Sequence, residues 1–467
     1  MLFRRLFVAF VVFSLVVPFS LSAMAQEKKP FEGVVLNAYF IGGGAYEKLY
    51  TRIPEFEEQT GAKVNIAAKL SHFELNKRVA QEFASGGDID VISTHTTFAP
   101  GQKDFLLPLN EYLTPEDLKD FTPSTIEAST VDGKLIMLPR HTDVRIMYYR
   151  TDLFEDPKEQ EAFKAKYGYD LRPPTNWQEL LDVAEFFTRP PSLYGFVFTG
   201  GEEPLVGTFY ELLLSAGGNF FDEEGNVIFN QEPGQKALQL LVDLYYHKKA
   251  TPEGVPNYRW DEVAKAFRDG LIAFYFDWPG WYTMMKDPKE SKVAGKFGLA
   301  PYPVGPAGYA KIWGGSHGFA VAKSTKNPEA AVALVKFLTS GDNLYFEAKE
   351  GGFLPASISA YQRLKEDVAK TGDPLDLKRL ELLEQELAGF VPPPKIPEYQ
   401  EIVSAIWPEL QKSLVEGRDV KVTLDIAAEK VRKILGRQEK DPPKGGAASE
   451  NTRPKRARSH DHAGLPH

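Results

Sequence analysis

Residues 34–93 read VVLNAYFIGGGAYEKLYTRIPEFEEQTGAKVNIAAKLSHFELNKRVAQEFASGGDIDVIS, a stretch in which short apolar runs alternate with helical spacings. Val34 to Phe40 reads as a strand, closed by Ile41-Gly42-Gly43-Gly44. Tyr46, Leu49, Tyr50, Ile53 and Phe56 then recur close to one helical face, with a kink expected at Pro54 and a stop at Gly61. Val64 to Ala67 reads as a second strand and Phe73 to Phe83 as a second helix ending at Gly86-Gly87. Asp90 to Ser93 opens a third strand. This alternation builds an α/β protein around a parallel sheet. The glycines match neither G-x-G-x-x-G nor a P-loop, so they read as a close-approach turn and not as a phosphate cradle.

Ligands of such sheets sit beyond the carboxyl ends of the strands. That rule nominates Phe40 and Gly42, then Thr94, His95 and Thr96, then the segment Leu138 to Arg145, which is strand-like again from Val144 to Tyr149. A second α/β block runs from Trp177 through Phe198, with helices expected over Leu205 to Ala216 and around Lys236 to Tyr246. It leads into a helix over Asp261 to Arg268, a short buried strand over Leu271 to Phe276, and the loop Asp277-Trp278-Pro279-Gly280-Trp281. Two indoles beside a carboxylate suit the apolar face and the hydroxyls of a sugar, although large aromatics are also ordinary core residues.

The chain has 467 residues, 43% of them hydrophobic, enough for two cores. Arg4 and Arg5, an apolar run from Leu6 to about Leu21, and Ala23-Met24-Ala25 form the pattern of a cleaved export leader, with the mature chain expected from near Gln26. Loss of those two arginines takes the formal charge from −9 to −11, which argues against nucleic acid and anionic lipid as partners. With no cysteine, neither a disulfide nor a thiol-linked lipid anchor is expected. From about Gln438 the chain is rich in Pro, Gly, Ser and charge, and disorder is expected over 438–467.

Gly314-Gly315-Ser316-His317-Gly318-Phe319-Ala320-Val321-Ala322, followed by Ser324 to Ala331 and a helix to Leu338, resembles the maltose-binding-protein-like extracellular solute-binding proteins of ABC importers. Phe56 to Gly61, Gly133 to Pro139, Tyr148 to Phe154, the Asp277 to Trp281 loop and Ile396 to Trp407 agree in order. The resemblance covers roughly Phe31 to Leu435. It implies an α/β, two-lobed periplasmic binding protein with several interlobe crossovers and a central ligand cleft. Lobes of 31–143 plus 314–355 and of 144–313 plus 356–436 are expected, with crossings near Thr142 to Ile146, Trp313 to Phe319 and Gly352 to Ser357. It further implies a monomer in the periplasm that captures a carbohydrate, closes by a hinge motion and delivers it to ABC permease subunits. A polyol or a glycerol phosphodiester is the second choice of ligand.

The expected ligand contacts are Phe40, Gly42, Thr94, His95, Thr96, Asp143, Arg145, Asp277, Trp278, Trp281, Gly315, Ser316, His317 and Trp407. Arg145 offers a fork for two hydroxyls or for an acidic ligand group, against an interlobe ion pair with Asp143 or a neighbour as its structural reading. No cofactor or metal is expected, since His95, His141 and His317 form no H-x-x-x-H or H-E-x-x-H pair. Two enzymes compete with the receptor reading. Gly314-x-Ser316-x-Gly318 satisfies the nucleophile-elbow pattern, yet a strand follows it where a helix is required. A glycoside hydrolase would need two facing carboxyls, for which Asp143 and Asp277 are the candidates.

Overall fold

The structure, a computed structural model, describes residues 28–436, so the leader and tail expectations lie outside the described residues. Val35–Ile41 pairs in parallel with Lys63–Leu70 on one side and Val91–His95 on the other, as the alternation predicts. The sheet then departs from the parallel expectation. Ser316–Val321 runs antiparallel between Val91–His95 and Leu138–Thr142, and Leu354–Pro355 closes the far edge. The result is a mixed six-stranded sheet whose third member arrives from more than two hundred residues downstream.

Two local expectations change. Pro54 stands in the first turn of the helix Ile53–Thr60, and the preceding turn is a separate short helix, Glu47–Tyr50. Proline in a first turn lacks only an N–H that would be unpaired anyway, so it starts this helix and does not kink one. Gly61 ends it as expected, at φ +79°, donating to the Glu57 carbonyl at 2.9 Å. The strand expected over Leu271 to Phe276 runs instead over Phe274–Asp277, leaving Leu271 exposed.

A second sheet orders Phe274–Asp277, Ile146–Arg150 and Phe297–Ala300, all antiparallel. The chain leaves the first sheet for the second at residues 143–145 and re-enters the first at 314–315, from the strand Ile312–Trp313, which pairs separately with Phe390–Val391. One core gathers under the first sheet around Phe40, Phe56 and Phe319; a larger one fills the second lobe around Phe187, Phe209, Phe267 and Tyr275. The helix Ile358–Thr371, expected beyond the last crossing, packs Ala360, Leu364 and Val368 into the first core. The change of core falls within Pro374–Glu386, where Leu380 joins the first core and Leu382 and Leu383 the second. Its apolar positions face both ways, so periodicity alone does not show which lobe it serves.

Candidate functional site

Between the two lobes lies a cavity of about 540 Å³. The first lobe closes it with the turn after its first strand. Gly42 passes close enough to the next strand that a Cβ there would stand 3.2 Å from the Lys69 carbonyl carbon, and Gly43 has φ +114°. Gly43 requires glycine for its backbone, and Gly42 is tightly packed against the strand.

The floor is set by strand register. His317 pairs across the sheet with His95 on one side and with His141 on the other, which places three imidazoles in a row. Asp143 caps the row: its carboxylate lies 3.4 Å from His95 Nε2, 3.4 Å from His317 Nε2 and 3.6 Å from His141 Nε2. Tyr46 brings its hydroxyl to 3.5 Å from His317 Nε2, and His72 stands edge-on to both His95 and His317. Burial, reinforced by His141, takes His95 down to about 3, and burial also holds His317 and His72 well below the usual imidazole range. Burial pushes Asp143 up to about 6. His95, His317 and His72 are thus neutral imidazoles able to exchange hydrogen bonds with hydroxyls.

His95, His317 and Asp143 also bring ligand-type atoms within 4.8 Å of one another. The His95 ring argues against a metal there. Its Nδ1 accepts the Thr97 N–H at 3.1 Å, which leaves the ring proton of the neutral imidazole on Nε2, the atom a metal would need.

The opposite wall is aromatic. Trp260, Trp278, Trp281 and Trp313, four of the six tryptophans in the chain, line the cavity. Trp260 stacks on Trp313 at 5.8 Å and meets Trp278 edge-on at 5.3 Å. Gly207 leaves room for Trp313, since a Cβ there would come within 2.4 Å of the indole. Behind this wall Arg145 ion-pairs with Glu211 and packs against the rings of Trp278 at 5.1 Å and Trp260 at 5.7 Å. Glu211 also accepts the backbone N–H of Trp313 at 3.2 Å and the Tyr302 hydroxyl at 3.3 Å.

Of the expected contacts, Gly42, His95, Asp143, Trp278, Trp281, Gly315 and His317 line the cavity. The other seven do not. Phe40 stacks on Tyr50 within the first core, because the pleat turns its side chain away from the cleft. Thr94 donates to Gln102 at 2.6 Å, Thr96 accepts from the Ser316 N–H at 3.1 Å, and the Ser316 hydroxyl donates to the His141 carbonyl at 3.0 Å. Arg145 does pair with a carboxylate, but with Glu211 of its own lobe and not across the lobes with Asp143, because a buried guanidinium without a counterion is costly. Trp407 is half-buried against the second core, outside the cavity. Asp277 is fully buried and accepts from Tyr275 Oη at 2.7 Å and from the Trp278 N–H at 2.8 Å, so it orients the tryptophan loop from beneath.

Burial pushes Asp277 up to about 7, while the unfolded chain ionises near ~3.9. Its stabilising effect is therefore complete below about pH 4 and is lost as pH rises towards 7, at about 1.4 kcal/mol per unit. Asp277→Asn should flatten that decline, measured by urea unfolding across the window. Equal pH slopes in the two proteins would refute it.

Several lining residues escaped sequence reading. Tyr46 and Trp260 sit where helical spacing suggests core, Trp313 where a crossing is expected, and His72 and Glu203 in helical first turns that carry no motif.

The profile of the bacterial extracellular solute-binding protein family matches residues 37–343. A probable ABC transporter-binding protein of Deinococcus radiodurans is 31% identical over 330 residues, covering 68% of this chain and 75% of that protein. The mannitol-binding protein of Pseudomonas aeruginosa is 28% identical over 57% of this chain and 60% of its own length. Among solved structures, maltose-bound MalE3 of T. maritima superposes with a TM-score of 0.75 at 29% identity, covering 86% of this chain and all of that one. The chain belongs to the family of bacterial extracellular solute-binding proteins, with the two-domain architecture of the maltose-binding receptors.

Proposed function

We propose that this protein captures a carbohydrate or polyol in the interlobe cleft and delivers it to the permease of an ABC importer. One observation carries the reading: a tryptophan wall and a floor of hydrogen-bonding imidazoles face each other across a single cavity, one from each lobe. Indole faces suit the C–H face of a sugar ring, and the floor suits its hydroxyls. A ligand touching both lobes favours closure by its greater affinity for the closed form. Relatives that bind maltose and mannitol support this class of ligand.

The protein acts as a monomer and without catalysis. The Asp143 and Asp277 pair that a glycoside hydrolase would use is divided, with Asp143 on the cavity and Asp277 sealed beneath the loop. Export to the periplasm, with cleavage near Ala25 and no lipid anchor, completes the reading. Among the described residues no helix is long and apolar enough to cross a membrane.

A thermal-shift screen against neutral oligosaccharides, acidic glycosides and polyols tests the proposal, with mass spectrometry of each mixture after incubation. Stabilisation by a sugar or polyol recovered intact is the expected result. A ligand consumed during incubation would replace the receptor by an enzyme.

A further inference from the structure

The charge of the cleft is unbalanced. Six acidic side chains line it, Glu47, Glu74, Asp143, Glu203, Asp261 and Glu262, against two cations, Lys69 and Arg259, and five carboxylates without Glu203 still outnumber the cations. Both cations are already engaged, Lys69 with Glu47 at 2.5 Å and Arg259 with Glu202 at 2.6 Å. His95 and His317, the floor histidines that line the cavity, add no compensating charge, and Arg145 is held behind the tryptophans by Glu211. An anionic ligand would find no free cation on these walls.

Glu203 points to the opposite kind of ligand. It lies in the first turn of the helix Glu202–Ser215, lines the cavity, is only 4% exposed, and its Oε2 has no hydrogen-bond partner among the described residues. Polar groups beside it include the Glu202 carboxylate, the Tyr399 hydroxyl and the Gln400 amide, the last two without a hydrogen bond to it. None of them brings positive charge. A buried carboxyl left in this state is costly unless a partner arrives. The same lobe supplies four indoles, the side chains whose π faces attract cations most strongly.

We propose that the ligand carries a protonated amine, as an amino sugar or amino-substituted polyol does, and that Glu203 receives the ammonium group beside the tryptophan wall. This deepens the carbohydrate or polyol reading and rests on it. Burial and the neighbouring Glu202 push Glu203 up to about 8, so near pH 7 the carboxyl holds its proton until an ammonium group displaces it. Capture of the amine should therefore release a proton.

The test is calorimetric titration of the purified protein near pH 7 in two buffers of different ionisation enthalpy. The probes are matched: cellobiose, its counterpart built from two glucosamine units and the N-acetylated form of that counterpart, then glucitol and glucamine, then choline. At least one amine should bind about tenfold or more tighter than its neutral parent, with buffer-dependent heats that report proton release. Glu203→Gln should abolish both the preference and the proton release. Neutral probes binding as tightly as their amines would overturn this inference and leave the carbohydrate reading standing. Choline binding without any sugar or polyol would overturn the carbohydrate reading and keep the cationic site. Failure of every probe would count against both.

Discussion

Glu211→Ala should cost about 3–5 kcal/mol of stability, the range expected when one end of a buried ion pair is removed. Arg145 and Glu211 are 4% and 2% exposed, so the abandoned guanidinium could not recover its hydration. Glu211 is also the acceptor for the backbone N–H of Trp313 and the Tyr302 hydroxyl, which would lose their partner together. The damage should reach the cleft, because Arg145 packs against Trp260 and Trp278 from behind. Urea unfolding gives the stability, and ligand titration the affinity. The double variant Arg145→Met/Glu211→Leu should recover only the part due to the stranded charge, since leucine still leaves the Trp313 backbone N–H and the Tyr302 hydroxyl without an acceptor. A single-variant cost below about 1 kcal/mol would mean that the pair is solvated and does not brace the wall.

Gly315→Ala should lower ligand affinity by about 100-fold while sparing the fold. A Cβ at this position would stand 2.1 Å from His95 Cε1, 2.2 Å from Nε2 and 2.7 Å from Thr96 Oγ1. Such separations cannot persist, and the imidazole is the part able to rotate away. Its departure would break the approach to Asp143 and the bond from the Thr97 N–H. Gly315 has no positive φ, so alanine strains only the neighbours and not the backbone. The measurement pairs affinity with an unfolding midpoint. Unchanged affinity would show that the His95 ring takes no part in holding ligand.

The fold was legible because its local signals agree. Gly61 and Gly86 end helices in left-handed turns, and three strands spaced by two helices leave little choice of sheet. The entry of Ser316–Val321 into the middle of that sheet was not legible from periodicity, which says nothing of partners so distant in the chain. At the site, strand-end logic found the loops but not which side chains in them face the cavity. Phe40 and Thr94 occupy the right strands with their side chains turned elsewhere, one into the core and one towards Gln102. Arg145 shows the limit most sharply, because its counterion, Glu211, lies on a helix that gives no hint of it in the sequence.

The order of the first sheet bears on how the chain is made. Ser316–Val321 is third among six strands, and the imidazole row exists only once it slots between Val91–His95 and Leu138–Thr142. A chain emerging from its amino end would expose two unmatched strand edges until residue 321 had followed. Contacts this remote in sequence slow folding, because a long loop must close before they form. The first lobe therefore stays unfinished although it begins first, and the second waits longer still for the helices Tyr399–Glu416 and Val420–Ile434 that complete its core, so an exported chain would stay open to chaperones and proteases until most of its length had crossed the membrane.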